Sequence, residues 1–153
     1  MKYWFVLSLF LLPNAVWAAS MTVDADRFEL VQGKQQADFF GNVVIKRGDM
    51  MIKAEKVRVW YQEDEKTGKK VLKQAEAMGK VDIVTDDSKG KSDYALFTTA
   101  SSILVMKGNA YMTSKQGTVE GEHITYNTDT QDTKVVGGDS GKQVRFTFDE
   151  GVQ

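Results

Sequence analysis

A repeat of about 29 residues constrains this chain more than any other feature. Three units, which begin at Gly41, Gly79 and Gly108, agree in spacing without a gap over nineteen positions. Apolar residues stand two, four, sixteen and eighteen positions after each glycine, and a small residue followed by an acid stands at thirteen and fourteen. A unit this short cannot bury its apolar face alone, so we expect the units to stack around a common interior.

The apolar positions recur at every second residue, which is the period of a β-strand. Residues 56–59 and 144–148 alternate most clearly, and a partial unit at Ala25-Asp26 precedes the three full ones. Residues 71–78 favour a helix by composition, but their place in the repeat matches the strand-like segment 103–106, and we therefore predict a strand. The fold class predicted is all-β, as a twisted open β-jelly roll or a short folded-over β-solenoid of about three and a half repeats.

One gap between units is nine residues longer than the others. The extra residues fall at 62–70, a charged segment that contains Thr67-Gly68 and is typical of a hairpin tip or mobile loop. A recognition role for this charged segment is the alternative.

The chain begins with the pattern of an export signal. Lys2 precedes an apolar run at residues 3–12, which is shorter than the roughly 20 residues that span a bilayer, and small residues follow Pro13. We predict cleavage after Ala18, so that residues 1–18 are a signal peptide and residues 19–153 form a single domain. Export without cysteine suits the periplasm of a Gram-negative bacterium. An uncleaved anchor is the alternative.

Composition argues against catalysis, metal binding and nucleic-acid binding. The chain has no cysteine, one histidine and a formal net charge of −1, with scattered basic residues. His123 lies in an alternating segment and is expected to face solvent, and Asp86-Asp87-Ser88 is only a weak cation signal. The recurring acids could pair as catalytic carboxylates, but recurrence in every unit favours a structural corner instead: Asp26, Glu55, Asp93 and Glu122. No enzyme activity, metal or cofactor is predicted.

The two ends of the stack lack the proline that often blocks an exposed strand edge, because the only proline lies in the leader. We therefore infer that at least one end is extended by another chain through strand addition. The predicted partner-binding edge consists of Thr22, Val23, Val144, Phe146 and Phe148.

The interior has two possible uses. A folded-over sheet without a plugging helix either fills itself or leaves an apolar trough, and the surplus of methionine fits both outcomes. A trough open at both ends, with no converging polar groups, would suit acyl chains better than polar substrates.

Two pairs of segments, 41–45 with 52–57 and 107–112 with 121–126, closely resemble the OstA-like family, and the similarity covers residues 20–148. The resemblance implies a periplasmic protein that carries lipopolysaccharide from the inner to the outer membrane along an apolar groove. It also implies head-to-tail self-association and docking to an LptC-like inner-membrane protein and an LptD-like outer-membrane translocon, so that the bridge contacts both membranes through its partners.

The resemblance implies that the inward apolar positions contact the acyl chains of lipid A. These positions are Met21, Val23, Phe28, Leu30, Val43, Ile45, Ile52, Val57, Val59, Val81, Ile83, Phe97, Met112, Val119, Ile124 and Tyr126. Two alternatives remain at this stage: an inner-membrane-anchored OstA-like module in the manner of LptC, and a structural β-repeat protein with a filled core and no ligand.

Overall fold

A computed structural model describes residues 21–138, 141 and 143–148. Ten strands form one antiparallel sheet, which confirms the all-β prediction. The strands are β1 (Met21–Asp24), β2 (Arg27–Val31), β3 (Gln36–Arg47), β4 (Met50–Glu63), β5 (Lys70–Val84), β6 (Ser88–Thr98), β7 (Ile103–Ser114), β8 (Gly117–Asn127), β9 (Thr133–Val136) and β10 (Arg145–Phe148). A short 3₁₀ turn, Gln32–Lys34, joins β2 to β3. The predicted leader and its cleavage site lie outside the described residues.

The sheet consists of eight rows that run alternately up and down. Each of β3 to β8 is a full row, whereas β1 and β2 pair with the two halves of β3 and together make the first row. In the same way, β9 and β10 pair with the two halves of β8 and make the last row. We call the half that contains β1 and β10 the upper half and the half that contains β2 and β9 the lower half.

Every row bends where the upper half meets the lower half. The pairing register shifts at this line in each successive pair of rows from β3 to β8, as a β-bulge produces. Three of the rows bend at a glycine and the residue after it, both with positive φ: Gly41 (78°) and Asn42 (46°), Gly79 (80°) and Lys80 (46°), Gly108 (80°) and Asn109 (48°). These bends fold the sheet over into a jelly roll.

Three of the four recurring acids lie against these glycines and Glu122 lies against Gly138, which supports the interpretation of structural corners. A Cβ added to Gly41 or Gly108 would lie 2.5 Å from Asp26 Oδ2 or 2.6 Å from Asp93 Oδ2, and Glu55 covers Gly79 in the same manner. Side-chain amides donate hydrogen bonds to two of these carboxylates: Asn42 Nδ2 donates to Asp26 Oδ2 at 2.9 Å, and Asn109 Nδ2 donates to Asp93 Oδ2 at 3.3 Å.

The strands of the six full rows are long and run through the bend. The six full rows have 11 to 15 residues each, because a left-handed glycine bends a strand without ending its ladder. Residues 71–78 lie inside β5 as predicted. The segment 62–70 spans the exposed turn between β4 and β5, where the Lys66 amide donates to Asp64 Oδ1 at 2.8 Å. The described residues contain no helix long and apolar enough to cross a membrane.

The folded sheet encloses one apolar core. Inward side chains of the upper half pack against inward side chains of the lower half, and Val43, Val57, Val81, Met106 and Ile124 are the largest fully buried ones. Because alternate residues along each row point inward, the core is a ladder of apolar side chains that continues from row to row.

Candidate functional site

Most of the predicted lining positions lie in this core. Those buried are Val43, Ile45, Ile52, Val57, Val59, Val81, Ile83, Phe97, Met112, Val119 and Ile124. Val23 and Tyr126 are half-buried and pack against the same cluster. The rows thus bring together residues that are up to 100 positions apart in the sequence.

Three predicted lining positions are exposed instead. Met21, Phe28 and Leu30 belong to the first row, where they pair with Arg47, Phe39 and Ala37. Their period places them on the inward face, but no described row covers them from the other side, so that Phe28 is 54% exposed. They line the open end of the interior rather than its middle.

Other interior residues were not among the predicted lining positions. Leu104, Met106 and Ala110 are buried in the same cluster, and Met50 is half-buried against it. Leu104 and Met106 stand four and two positions before Gly108, so extending the alternation backwards from the glycine would have identified them. Met50 directly follows a turn and lacked such a signal.

The middle of the interior is filled by the protein's own side chains. The most apolar cavity there has a volume of about 30 Å³ and is lined by residues that include Ile83, Leu104, Met106, Met112 and Tyr126. This volume is close to the share of one water molecule in the liquid and far below that of an acyl chain. The expected open trough is therefore not present between the described residues, because methionine and aliphatic side chains from the two halves interdigitate.

Clefts surround this small cavity along the line where the hairpin turns of the upper half approach those of the lower half. We call this line the seam. A cleft of about 380 Å³ lies between Gly48, Asp49 and Asp87 on the upper side and Ser102 and Asp129 on the lower side. A second cleft of about 230 Å³ continues along the seam beside Lys115 and Gln131.

A third cleft opens at the last row. It has a volume of about 280 Å³ and lies between β9 and β10, with Val135, Val144 and Phe146 on its walls. Met112 lines this cleft, the second seam cleft and the apolar cavity, whereas Tyr126 lines both seam clefts and the cavity. These two side chains therefore lie between neighbouring cavities that follow one another from the seam to the end of the sheet.

No hydrogen bond or ion pair between described residues joins the turns on the upper side of the seam to those on the lower side. The bonds at the turns stay on one side, such as Thr85 to Ser88 on the upper side and Thr128 to Ser102 on the lower side. Apolar packing is therefore the main contact that the described residues make across the seam.

Burial raises the pKa of two tyrosine side chains, one beside the interior and one on the outer face. Burial raises the pKa of Tyr126, and the Asp87 carboxylate adds to this shift. On the outer face, burial raises the pKa of Tyr94 to about 12, and the hydrogen bond that its hydroxyl donates to Glu76 at 2.7 Å contributes as well.

One ion pair on the outer face includes a buried carboxylate. Arg58 Nε donates to Asp38 Oδ1 at 2.8 Å, and this hydrogen bond holds the pKa of the buried Asp38 carboxyl below its usual value. The pair joins β3 to β4 on the side opposite Val57 and Val59, and it was not predicted. We assign it a structural role, because it faces away from every cleft described above.

The remaining polar candidates do not form a site. His123 is half-buried on the face opposite Ile124, where it pairs with Lys107 and Val136. Asp87 lies in an exposed turn with its Oδ1 atom 3.8 Å from Lys115 Nζ. Among the residues that the structure describes, no group of three or more histidine, cysteine or acidic side chains converges as metal ligands would.

The two end rows expose nearly all of the large apolar side chains found on the described surface. Apart from Val71, these are Met21, Phe28, Leu30 and Val31 at the first row and Val136, Val144, Phe146 and Phe148 at or beside the last row. Exposed apolar surface confined to two strand edges is characteristic of interaction sites.

The chain resembles known proteins over most of its length. The lipopolysaccharide export system protein LptA of Escherichia coli strain K12 is 28% identical over 150 residues, which cover 91% of this chain and 80% of that protein. LptA of Shigella flexneri matches to the same extent. The crystal structure of LptH, the LptA-homologous periplasmic component of the lipopolysaccharide transport device of Pseudomonas aeruginosa, superposes with a TM-score of 0.75 at 16% identity. That superposition covers 86% of this chain and 96% of LptH, and it shows a common fold.

A match to a protein-family model shows which family the chain belongs to. Residues 22–132 match the family described as LptA/(LptD N-terminal domain) LPS transport protein, and this range runs from β1 to the turn before β9. It includes the three glycine corners and nearly all of the buried ladder. The chain is therefore a member of the LptA/LptD N-terminal domain family of lipopolysaccharide transport proteins.

Proposed function

We propose that this protein carries lipopolysaccharide across the periplasm of a Gram-negative bacterium by sheltering the acyl chains of lipid A in its interior. The observation that carries this proposal is the apolar ladder, which runs through all eight rows and is left uncovered at both ends. Family membership supports the choice of lipopolysaccharide as the cargo. In a structural protein with a sealed core, we would expect polar side chains to cover the ladder at both ends.

The energetics of transfer explain why such a carrier needs no catalytic group. Burying one CH₂ group is worth about 0.8 kcal/mol, so a fourteen-carbon chain gains on the order of 10 kcal/mol when it leaves water. Apolar contact is non-directional, and the lining residues therefore need no fixed polar partner for the lipid.

Acyl chains enter, in this proposal, by parting the two halves of the sheet at the seam. The unbonded turns permit this opening, and the flexible Met112 side chain can move from between the cavities that it separates. The corners of the sheet stay closed, because each glycine corner is covered by an acid of the preceding row. The two halves of the sheet then separate at the seam while they stay joined at the glycine corners.

The end rows are the proposed docking surfaces. Thr22 and Val23 in the first row, and Val144, Phe146 and Phe148 at the last row, would pair with a second copy, with an LptC-like protein at the inner membrane or with an LptD-like translocon at the outer membrane. Support comes from the exposed apolar side chains on these rows.

Site-specific photo-crosslinking tests the proposal. We expect a photoreactive phenylalanine analogue in place of Tyr126, which lines the seam clefts, to capture lipopolysaccharide in cells. The matched control is the same analogue at Thr125, which is also half-buried but lies on the opposite face of β8. Equal labelling at both positions would contradict an interior path.

Amino-terminal sequencing of the exported protein tests the proposed domain limits. Cleavage after Ala18 leaves Ala19 and Ser20 ahead of β1, so the first row remains intact for docking. We expect the mature protein to begin at Ala19 and to be released by osmotic shock. A protein that retains Met1 and stays with the membrane would favour the anchored, LptC-like alternative.

A further inference from the structure

The number and direction of the rows allow one sheet to continue from copy to copy. The first row runs from the upper half to the lower half, and the last row, β9 followed by β10, runs from the lower half to the upper half. If the last row of one copy lies beside the first row of the next, the two rows are antiparallel, as are all neighbouring rows within the chain. When one copy of eight rows is placed on another, neighbouring rows therefore remain antiparallel across the junction.

The register within the chain offers one alignment between copies, in which the lines of paired residues continue from one copy to the next. On the upper half, one unbroken line of directly paired residues crosses all eight rows from Asp24 to Arg145. On the lower half, a second line crosses all eight rows from Glu29 to Lys134. Extending both lines by one row brings Arg145 opposite Asp24 of the next copy and Lys134 opposite its Glu29.

Each line thus begins with an acid and ends with a base. Asp24, Glu29, Lys134 and Arg145 are all exposed and lie on the outward face of the sheet. Glu29 already has one cationic neighbour, since its Oε1 atom lies 3.7 Å from the Arg27 guanidinium. Opposite charges directly across two antiparallel strands stabilise their pairing, and like charges destabilise it.

The same register aligns the inward apolar residues. It sets Phe146 opposite Val23, Phe148 opposite Met21, and Val135 opposite Phe28 of the next copy. Every one of these side chains points to the interior in its own row. The apolar ladder allows every alignment shifted by an even number of residues, and the two charge pairs select this one among them.

We infer that these two charge pairs set the register of head-to-tail docking between copies of this chain, Arg145 with Asp24 and Lys134 with Glu29. This inference rests on the proposed end-to-end assembly and adds the alignment of the two rows. A head-to-tail contact of this kind leaves a free first row and a free last row, so the assembly stays open and can grow.

One competing arrangement uses the first row alone. Two first rows related by a two-fold axis would place Asp24 of one copy opposite Arg27 of the other and would form a closed dimer. Arg145 and Lys134 take no part in that contact. A charge exchange between Asp24 and Arg145 therefore distinguishes the two arrangements.

The experiment measures self-association of the exported chain and of four variants by analytical ultracentrifugation at low ionic strength. We expect Asp24→Arg and Arg145→Asp each to weaken association about 3- to 30-fold, since each turns an attractive pair into a repulsive one. The double variant, which exchanges the two charges, should recover association to within about twofold. Lys91→Asp is the control: it makes the same charge change mid-sheet and faces an acid of its own chain, Asp82, as Arg145 faces Glu120.

Two outcomes would overturn the inference. A double variant that stays as weak as Asp24→Arg, with Arg145→Asp unaffected, would establish the closed dimer. A native chain that remains monomeric at all concentrations would remove the interface altogether. Neither outcome touches lipid capture at Tyr126, which a single copy can perform, so failure of this inference is distinguishable from failure of the proposed function.

Discussion

We expect replacement of Gly108 by alanine to lower the free energy of unfolding by about 2–4 kcal/mol. Two effects add at this corner. The φ of +80° is unfavourable for any residue with a Cβ, and the new methyl group would lie 2.6 Å from Asp93 Oδ2. Urea denaturation of the purified protein measures the change. Gly33→Ala is the control, because a Cβ added at Gly33 meets nothing within 4 Å.

A second substitution isolates the contact with the carboxylate. Adding Asp93→Ala to Gly108→Ala removes the carboxylate but keeps the Asp93 Cβ at 2.9 Å and the unfavourable backbone angle, so we expect only part of the stability to return. If Gly108→Ala costs no more than Gly33→Ala, the glycine corners do not hold the fold of the sheet.

The second large effect is expected at the last row. Phe146→Asp should weaken self-association by 100-fold or more, on the order of 3 kcal/mol, because it places a charge on the apolar ladder where the next copy would cover it. Phe146 is 48% exposed in the single chain, so its replacement should change the unfolding midpoint far less than it changes association. Sedimentation equilibrium and urea denaturation of the same samples measure both quantities.

Thr147→Asp serves as the matched control for that experiment. Thr147 is the next residue in β10, is exposed and points to the outer face, away from the ladder. We expect it to change association only slightly. If both variants weakened association equally, net charge rather than the inward face of the last row would control docking.

The sequence predicted the rows and corners well because each depends on short-range chemistry. Glycine at positions 41, 79 and 108 allowed a left-handed bend, the following acid fourteen residues later marked the next corner, and alternation set which side chains point inward. Even residues 71–78, whose composition favours a helix, followed the register of the repeat and form β5. Tertiary pairing with two neighbouring strands outweighed local propensity there.

The sequence did not predict the features that depend on how distant side chains pack against each other. Alternation identified Ile83 and Met112 as inward, but not how closely the two halves approach, and so not that the cavity between them shrinks to about 30 Å³. The Asp38–Arg58 pair was missed for a related reason. Twenty residues separate its members, and only the register of β3 against β4 brings them together.

The corner design also has a consequence for the length of the molecule. Each corner uses a glycine and the acid of the row before it, and needs nothing from more distant rows. Gain or loss of two adjacent rows would preserve strand direction and leave both ends unchanged, while the span would change by about 10 Å at roughly 4.8 Å per strand. Eight rows give a reach of about 38 Å per copy. Duplication of a single hairpin would thus lengthen the protein by a fixed increment of two rows. Such duplications would let the length of the protein evolve to match the width of its compartment.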